Sequence, residues 1–198
     1  MIPNKLKAGD EVRVIAPSRS MTILGEDCKK IATERLEALG LKVTFGKHVM
    51  EADPDYMCAS RDARVEDLNE AFRDKNVKAI LTVIGGFNSN QLLDYIDYKA
   101  IKENPKIFCG FSDITALSNA IHAKTGLVTY SGVHYSSFGM LKGFEYSLEH
   151  FKKILDGGLP SLCRQALACT ATICLNHSAA IYATAGNEAS TIAAFSIV

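Results

Sequence analysis

The sequence is short of several things that define whole classes of protein. It has no surplus of either charge, with 22 basic and 22 acidic side chains in 198 residues. A balanced chain carries neither the basic footprint of a nucleic-acid or anionic-lipid binder nor an acidic solvating tail. No apolar run of about 20 residues is present to span a bilayer. The first residues, MIPNKLKAGDEVRVIAPS, lack the uninterrupted apolar stretch of a secretory signal, because charge recurs at Lys5, Lys7, Asp10, Glu11 and Arg13. The six cysteines (Cys28, Cys58, Cys109, Cys163, Cys169, Cys174) form no C-x-x-C pair and no metal-knuckle spacing. They read as reduced thiols of a cytoplasmic protein, with no metal centre expected.

What is present is a hydrophobic content of 47%, enough for one well-filled domain. Its distribution divides the chain near residue 155. Before that point short apolar runs alternate with charged, helix-patterned stretches. From residue 156 to 198 only Asp156, Arg164 and Glu188 are charged and ten residues are alanine, with little amphipathic order. The expected organisation is an α/β domain over residues 1–155 and an anomalous or incomplete segment over 156–198.

Within the first region, residues 11–18 (EVRVIAPS) form an expected strand stopped at Pro17. Residues 25–39 place Ile31, Leu36 and Leu39 on one helical face, with Gly40 as the C-terminal stop. Residues 41–49 form a second strand, 51–59 a polar loop, and 61–75 a helix with Val65, Leu68, Ala71 and Phe72 on its apolar stripe. A nearly continuous apolar strand covers 77–84 and runs into Gly85-Gly86. A helix over 88–96 is capped by Ser89 or Asn90, and strand 106–111, helix 113–124, strand 127–131 and helix 146–155 complete the pattern. Strands without polar alternation are buried on both faces, and repeated strand–helix units imply parallel pairing with right-handed crossovers. The expected fold class is therefore α/β: a doubly wound, mostly parallel sheet of the flavodoxin-like kind with helices on both faces.

In such a sheet, ligands bind outside the carboxyl ends of the strands. Two of those ends carry chemistry. In Ile84-Gly85-Gly86-Phe87-Asn88 the glycine pair permits a tight turn and close approach of amide N–H groups to an anion, beside the positive end of the next helix. A ligand-free capping loop accounts for the same residues. No G-x-G-x-x-G fingerprint or phosphate-binding lysine accompanies it, and Asp94 and Asp97 read as a solvated helix face, which argues against a nucleotide-using kinase. In Cys109-Gly110-Phe111-Ser112-Asp113 a serine stands where a strand turns into a helix, as at a nucleophile elbow, although position 114 is Ile where that motif has Gly. A plain helix N-cap is the alternative role for Ser112. Together, a serine and nearby amides at adjoining strand ends are what acyl transfer requires.

The run GGFNSNQLLDYIDYKAIKENPKIFCGFSDITALSNAIHAKTGLVTYSG, with KLKAGDEVRVIAPS and RDARVEDLNEAFRDKNVKAILTVIGG upstream, resembles the LD-carboxypeptidase family of serine peptidases, which includes murein tetrapeptide carboxypeptidases and microcin C immunity proteins. The likeness covers about residues 3–155. GGFNSN and HYSSFG (residues 134–139) resemble the immunity branch more closely than the peptidoglycan recyclers. The resemblance implies a cytoplasmic, homodimeric hydrolase that needs no cofactor and cuts a carboxy-terminal amide of a small peptide or of an aminoacyl-nucleotide antibiotic. It assigns Ser112 as nucleophile and the amides of Gly86 and Asp113 as oxyanion donors, within a Ser–His–Glu triad. The family's Glu and His come from a second domain whose motifs are not found after residue 155. Glu145, Glu149 and His150 read as exposed helix charge, His122 as packed or half exposed, and His134 as a cleft-lining substrate contact; His177 and Glu188 lie in the anomalous segment. None is assigned to the triad, so little turnover is expected of the chain as written. A module of the same fold that binds an acyl-nucleotide or peptide without cleaving it is the alternative.

Overall fold

The computed structural model describes residues 1–155, all within one compact unit, Met1–Gly158. The expectations for residues 156–198, including His177 and Glu188, lie outside the described residues.

Five strands, β1 (Glu11–Ile15), β2 (Lys42–Phe45), β3 (Val77–Thr82), β4 (Ile107–Gly110) and β5 (Tyr130–Ser131), pair in parallel in the order β2-β1-β3-β4-β5. The helices are α1 (Glu26–Glu37), α2 (Arg61–Arg73), α3 (Tyr98–Glu103), α4 (Thr115–Thr125), α5 (Tyr135–Phe138) and α6 (Glu145–Leu155). Successive strand residues feed opposite cores. Val14, Leu81 and Cys109 pack with Ala32, Leu36, Tyr135 and Phe138 on one face. Ile15, Ile80 and Phe108 pack with Leu68, Phe72, Ile101, Leu117 and Ile121 on the other. A strand buried on both sides has few polar positions to spare, which explains why these strands are predominantly apolar. Each large side chain so buried contributes about 1.5–3 kcal/mol. The expected doubly wound α/β architecture is present, and no described helix is long and apolar enough to cross a membrane.

Three local departures have visible causes. The helix expected over 88–96 is a 3₁₀ segment, Ser89–Tyr95, followed by α3. The break is held by Asn69 of α2, whose Nδ2 donates to the Tyr95 carbonyl (3.1 Å) and whose Oδ1 accepts from the Asp97 amide (2.8 Å); Asp97 then caps α3 through the Ala100 amide (2.9 Å). Strand β5 is only two residues long because Val128 donates instead to the Met1 carbonyl (2.7 Å). Strand β2 ends at Phe45, before Gly46, where a Cβ would lie 2.4 Å from Asp67 Oδ2.

The connections leaving the neighbouring strands β1 and β3 run in opposite directions, to β2 and to β4. The crevice this leaves at the carboxyl ends is where ligands bind in open α/β sheets. The loops after β1, β3 and β4 meet there.

Candidate active site

Strand β4 runs straight into the corner that holds Ser112. Gly110 allows it: a Cβ there would sit 2.3 Å from Thr82 Oγ1 and 2.9 Å from Ile114 Cγ2, so only glycine lets strand and helix pack this closely. Ser112 then adopts φ +60°, one of two non-glycine residues with positive φ among those described. Left-handed backbone costs a side-chain-bearing residue about 1–2 kcal/mol, and such strain concentrates at functional turns. The helix-cap alternative does not hold. The cap positions of the 3₁₀ turn Ser112–Ile114 and of α4 are Phe111 and Ile114, and neither makes a side-chain cap bond. Ser112 is exposed, and its hydroxyl makes no hydrogen bond within the described residues.

The diglycine loop after β3 lies against this serine. A Cβ on Gly85 would be 3.2 Å from Ser112 Oγ and 3.6 Å from the Asp113 nitrogen. A Cβ on Gly86 would be 2.2 Å from Ser18 Oγ and 3.1 Å from Arg19 Cγ. The pair therefore has Ser112 against its first residue and the loop after β1 against its second. The amides of Gly86 and Asp113 have no acceptor among the described residues.

Two groups that hold this junction escaped the sequence reading. Asp113 offers a carboxylate as well as an amide. Its Oδ2 accepts from the amides of Asn88 (3.0 Å) and Ser89 (2.9 Å) and from Ser18 Oγ (2.7 Å), while its carbonyl accepts from Ser89 Oγ (2.7 Å). Ser89 is thus bound to the elbow and caps nothing. Arg64 of α2 is buried, and its guanidinium donates to the carbonyls of Pro17 (3.1 Å), Ala59 (3.1 Å) and Asn88 (3.2 Å) and to Gln91 Oε1 (2.7 Å). Burial lowers its pKa. It ties together loops that no local pattern connects. One signal was available: Arg64 precedes Leu68 and Ala71 at helical spacing, a charge on a buried stripe.

His134 does not line the cleft as a substrate contact. It is 2% exposed, its Nδ1 lies 2.8 Å from Thr82 Oγ1, and the Phe111 ring stacks on it at 4.2 Å. Thr82 Oγ1 also lies 3.3 Å from the Cys109 carbonyl, so the hydroxyl is held between the imidazole and that oxygen. Nε2 is buried without a hydrogen-bond partner. Burial lowers the pKa to about 4, against a smaller opposing pull from the Phe111 backbone. His48 is shifted the other way, chiefly by its bond to Glu51 (2.7 Å) with Glu66 at 3.1 Å assisting. His122 Nδ1 lies 3.0 Å from the Leu127 carbonyl, and the His150 ring packs on Tyr146. No histidine among the described residues bonds to Ser112.

The opposed shifts of His134 and His48 give a signed expectation. Unfolding lets His134 bind a proton below its ordinary pKa of 6.5, so its contribution to stability is full above pH 6.5 and about 3 kcal/mol is lost as pH falls to 4. His48 contributes below pH 6.5 and loses its contribution as pH rises through its raised folded value. A histidine NMR titration should find His134 still neutral at pH 5 and His48 already protonated there. A His134 midpoint near 6.5 would contradict the burial argument.

A cavity of about 740 Å³ lies at the other end of the sheet, beside the amino ends of β1, β3 and β4, lined by Lys5, Lys7, Asp10, Lys75, Lys78 and Lys106 among others. It is remote from Ser112. No group of three or more His, Cys, Asp or Glu side chains among them could hold a metal ion.

Comparison with known proteins identifies the family. Residues 12–132 match the model of the LD-carboxypeptidase N-terminal domain. YocD of Bacillus subtilis (strain 168), named as a carboxypeptidase, is 55% identical over 151 residues, covering 76% of this chain and 46% of YocD. The solved MccF-like protein of Bacillus anthracis (strain Ames) superimposes with a TM-score of 0.76 at 59% identity, over 78% of this chain and 47% of that one. MccF in complex with glutamyl sulfamoyl guanosine gives a TM-score of 0.73 at 35% identity, over 77% and 46%. The chain spans less than half the length of each of these relatives. With the family model matched across the sheet, its loops and the Ser112 elbow, the chain belongs to the LD-carboxypeptidase family.

Proposed function

We propose that the described domain is the nucleophile-bearing half of a serine carboxypeptidase. Ser112 Oγ attacks the carbonyl carbon of a carboxy-terminal amide bond, a C–O bond forms, and the charge that collects on the carbonyl oxygen is held by the Gly86 and Asp113 N–H groups. The C–N bond then breaks, the amine leaves with the proton taken from the hydroxyl, and water releases the acyl group from Ser112. Donors aimed at a developing oxyanion are worth about 3–4 kcal/mol each. One observation carries this reading: Ser112 holds a left-handed backbone, with its hydroxyl free and next to the glycine loop. A serine engaged in capping or packing would need neither feature.

The proposed substrate is a small peptide or an aminoacyl-nucleotide. Support for the second comes from MccF, solved with glutamyl sulfamoyl guanosine. The proton acceptor is expected from the family's His and Glu, which no described residue supplies at Ser112. A fluorophosphonate probe tests the reading, with tryptic mapping by mass spectrometry. Labelling is expected on Ser112 before any other serine, at the slow rate of a hydroxyl assisted by oxyanion donors without its base, and is absent from Ser112→Ala and from unfolded protein. No adduct on Ser112, or equal labelling of several serines, refutes the nucleophile assignment and leaves the binding module of the same fold.

A further inference from the structure

The loop after β1 carries an arginine that the proposed chemistry has not used. Among the described residues six arginines are present, and five have oxygen partners. Arg13 reaches Glu11, Glu70 and Asp74. Arg61 pairs with Asp62 and Arg73 with Asp97. Arg35 and Arg64 donate to carbonyls. Arg19 alone has no acceptor there. It is exposed, and its guanidinium carbon lies 5.9 Å from the centre of the Phe87 ring, itself 59% exposed. An aromatic face orients a guanidinium but leaves its five N–H donors free.

Its position is fixed by the glycine pair. The Arg19 stem packs where Gly86 has no Cβ, one residue from where Ser112 packs against Gly85. The free cation and the free hydroxyl thus flank consecutive residues of one loop. We infer that Arg19 is a specificity-determining residue, which holds an anionic oxygen group of the substrate, on the leaving side of the scissile bond, by a bidentate bond. This inference rests on the proposed Ser112 reaction for its orientation. A carboxy-terminal peptide bond always leaves a carboxylate beside the cleaved nitrogen, and an aminoacyl-nucleotide places a phosphate-type group there. Both match the planar fork of a guanidinium. The Phe87 ring, its centre 5.9 Å from the guanidinium carbon, offers the fork an aromatic face to rest against.

The test is binding to the 198-residue chain in its Ser112→Ala form, which cannot turn substrate over. N-acetyl-L-alanyl-D-alanine is compared with its carboxy-terminal amide, and AMP with adenosine, by NMR titration. The charged member of at least one pair is expected to bind about tenfold more tightly than its neutral partner, as for one charge-assisted bond gained. Arg19→Gln should bring that preference to within about twofold, and Arg19→Lys should keep part of it, since lysine supplies charge without the fork. The pair that shows the preference identifies the source of the anion. An unchanged preference in Arg19→Gln overturns the inference. So does equal binding of charged and neutral probes, or no binding of any probe at about 10 mM, where even a weak contact registers. Because Arg19 is exposed, both variants should melt with the parent. Loss of phosphonate labelling at Ser112 with the anion preference intact would sink the hydrolase reading alone; the reverse result would sink Arg19 alone.

Discussion

Replacing Ser112 by alanine is expected to remove the acyl transfer that depends on this hydroxyl, about 10³-fold or more where the family's His and Glu serve it and only the small residual turnover where they do not, and to leave the melting temperature unchanged. Alanine keeps a Cβ, so the strain of φ +60° stays while the hydroxyl goes. Ser112→Gly should be equally inactive but more stable. Glycine adopts the left-handed region freely, and the gain, set against the entropy of a more flexible unfolded chain, is up to about 1 kcal/mol. For a domain of this size that corresponds to roughly 2–4 °C. The sign is the informative part, because a residue kept at the cost of stability is kept for something else. Calorimetric melts of the three proteins, with hydrolysis measured alongside, check it. Retained hydrolysis in the alanine form, or a glycine form that melts below it, would show that the corner is neither strained nor reactive as argued.

The second large effect is structural. Asp113→Ala removes one carboxylate oxygen that serves three donors: the amides of Asn88 and Ser89 and the hydroxyl of Ser18. All three residues are buried, at 3%, 0% and 0% exposure, so water cannot easily replace the lost acceptor. The expected cost is about 3 kcal/mol, below the sum of three separate penalties because Ser18 Oγ keeps Asn88 Oδ1 (3.0 Å) as an acceptor and the freed loop relaxes. The cationic Arg64 nearby also loses its carboxylate neighbour, whose field supports its charge. Asp113→Asn keeps the shape and an acceptor oxygen but not the charge, and should cost about half as much. Hydrogen exchange supplies the local readout. The Asn88 and Ser89 amides should lose protection in the alanine variant while those of β1 and β3 keep theirs. Denaturant unfolding that places Asp113→Ala within about 0.5 kcal/mol of the parent would show that the three bonds contribute little.

Much of the architecture was legible because it is written in local periodicity. Predominantly apolar runs at residues 11–15, 77–82 and 107–110, interrupted only by Glu11, Arg13, Lys78 and Thr82, read as strands covered on both faces, and the stripe on α2 marks one of those covers. Glycines at 85, 86 and 110 next to a serine at a strand end marked the place where the chain turns sharply beside free amides. These features involve residues a few positions apart, so pattern and composition were enough. The left-handed backbone of Ser112, the burial of His134 under Phe111 and the division of residues 88–103 into two short helices were not legible. Each depends on a partner far along the chain: Thr82 lies 52 positions from His134, Asn69 28 from Asp97, and Ser18 95 from Asp113. Hydrogen bonds and packing at such separations exist only once the sheet has brought the strand ends together. Neither the conformation of the elbow nor the fate of each polar group around it is encoded in any one stretch of the sequence.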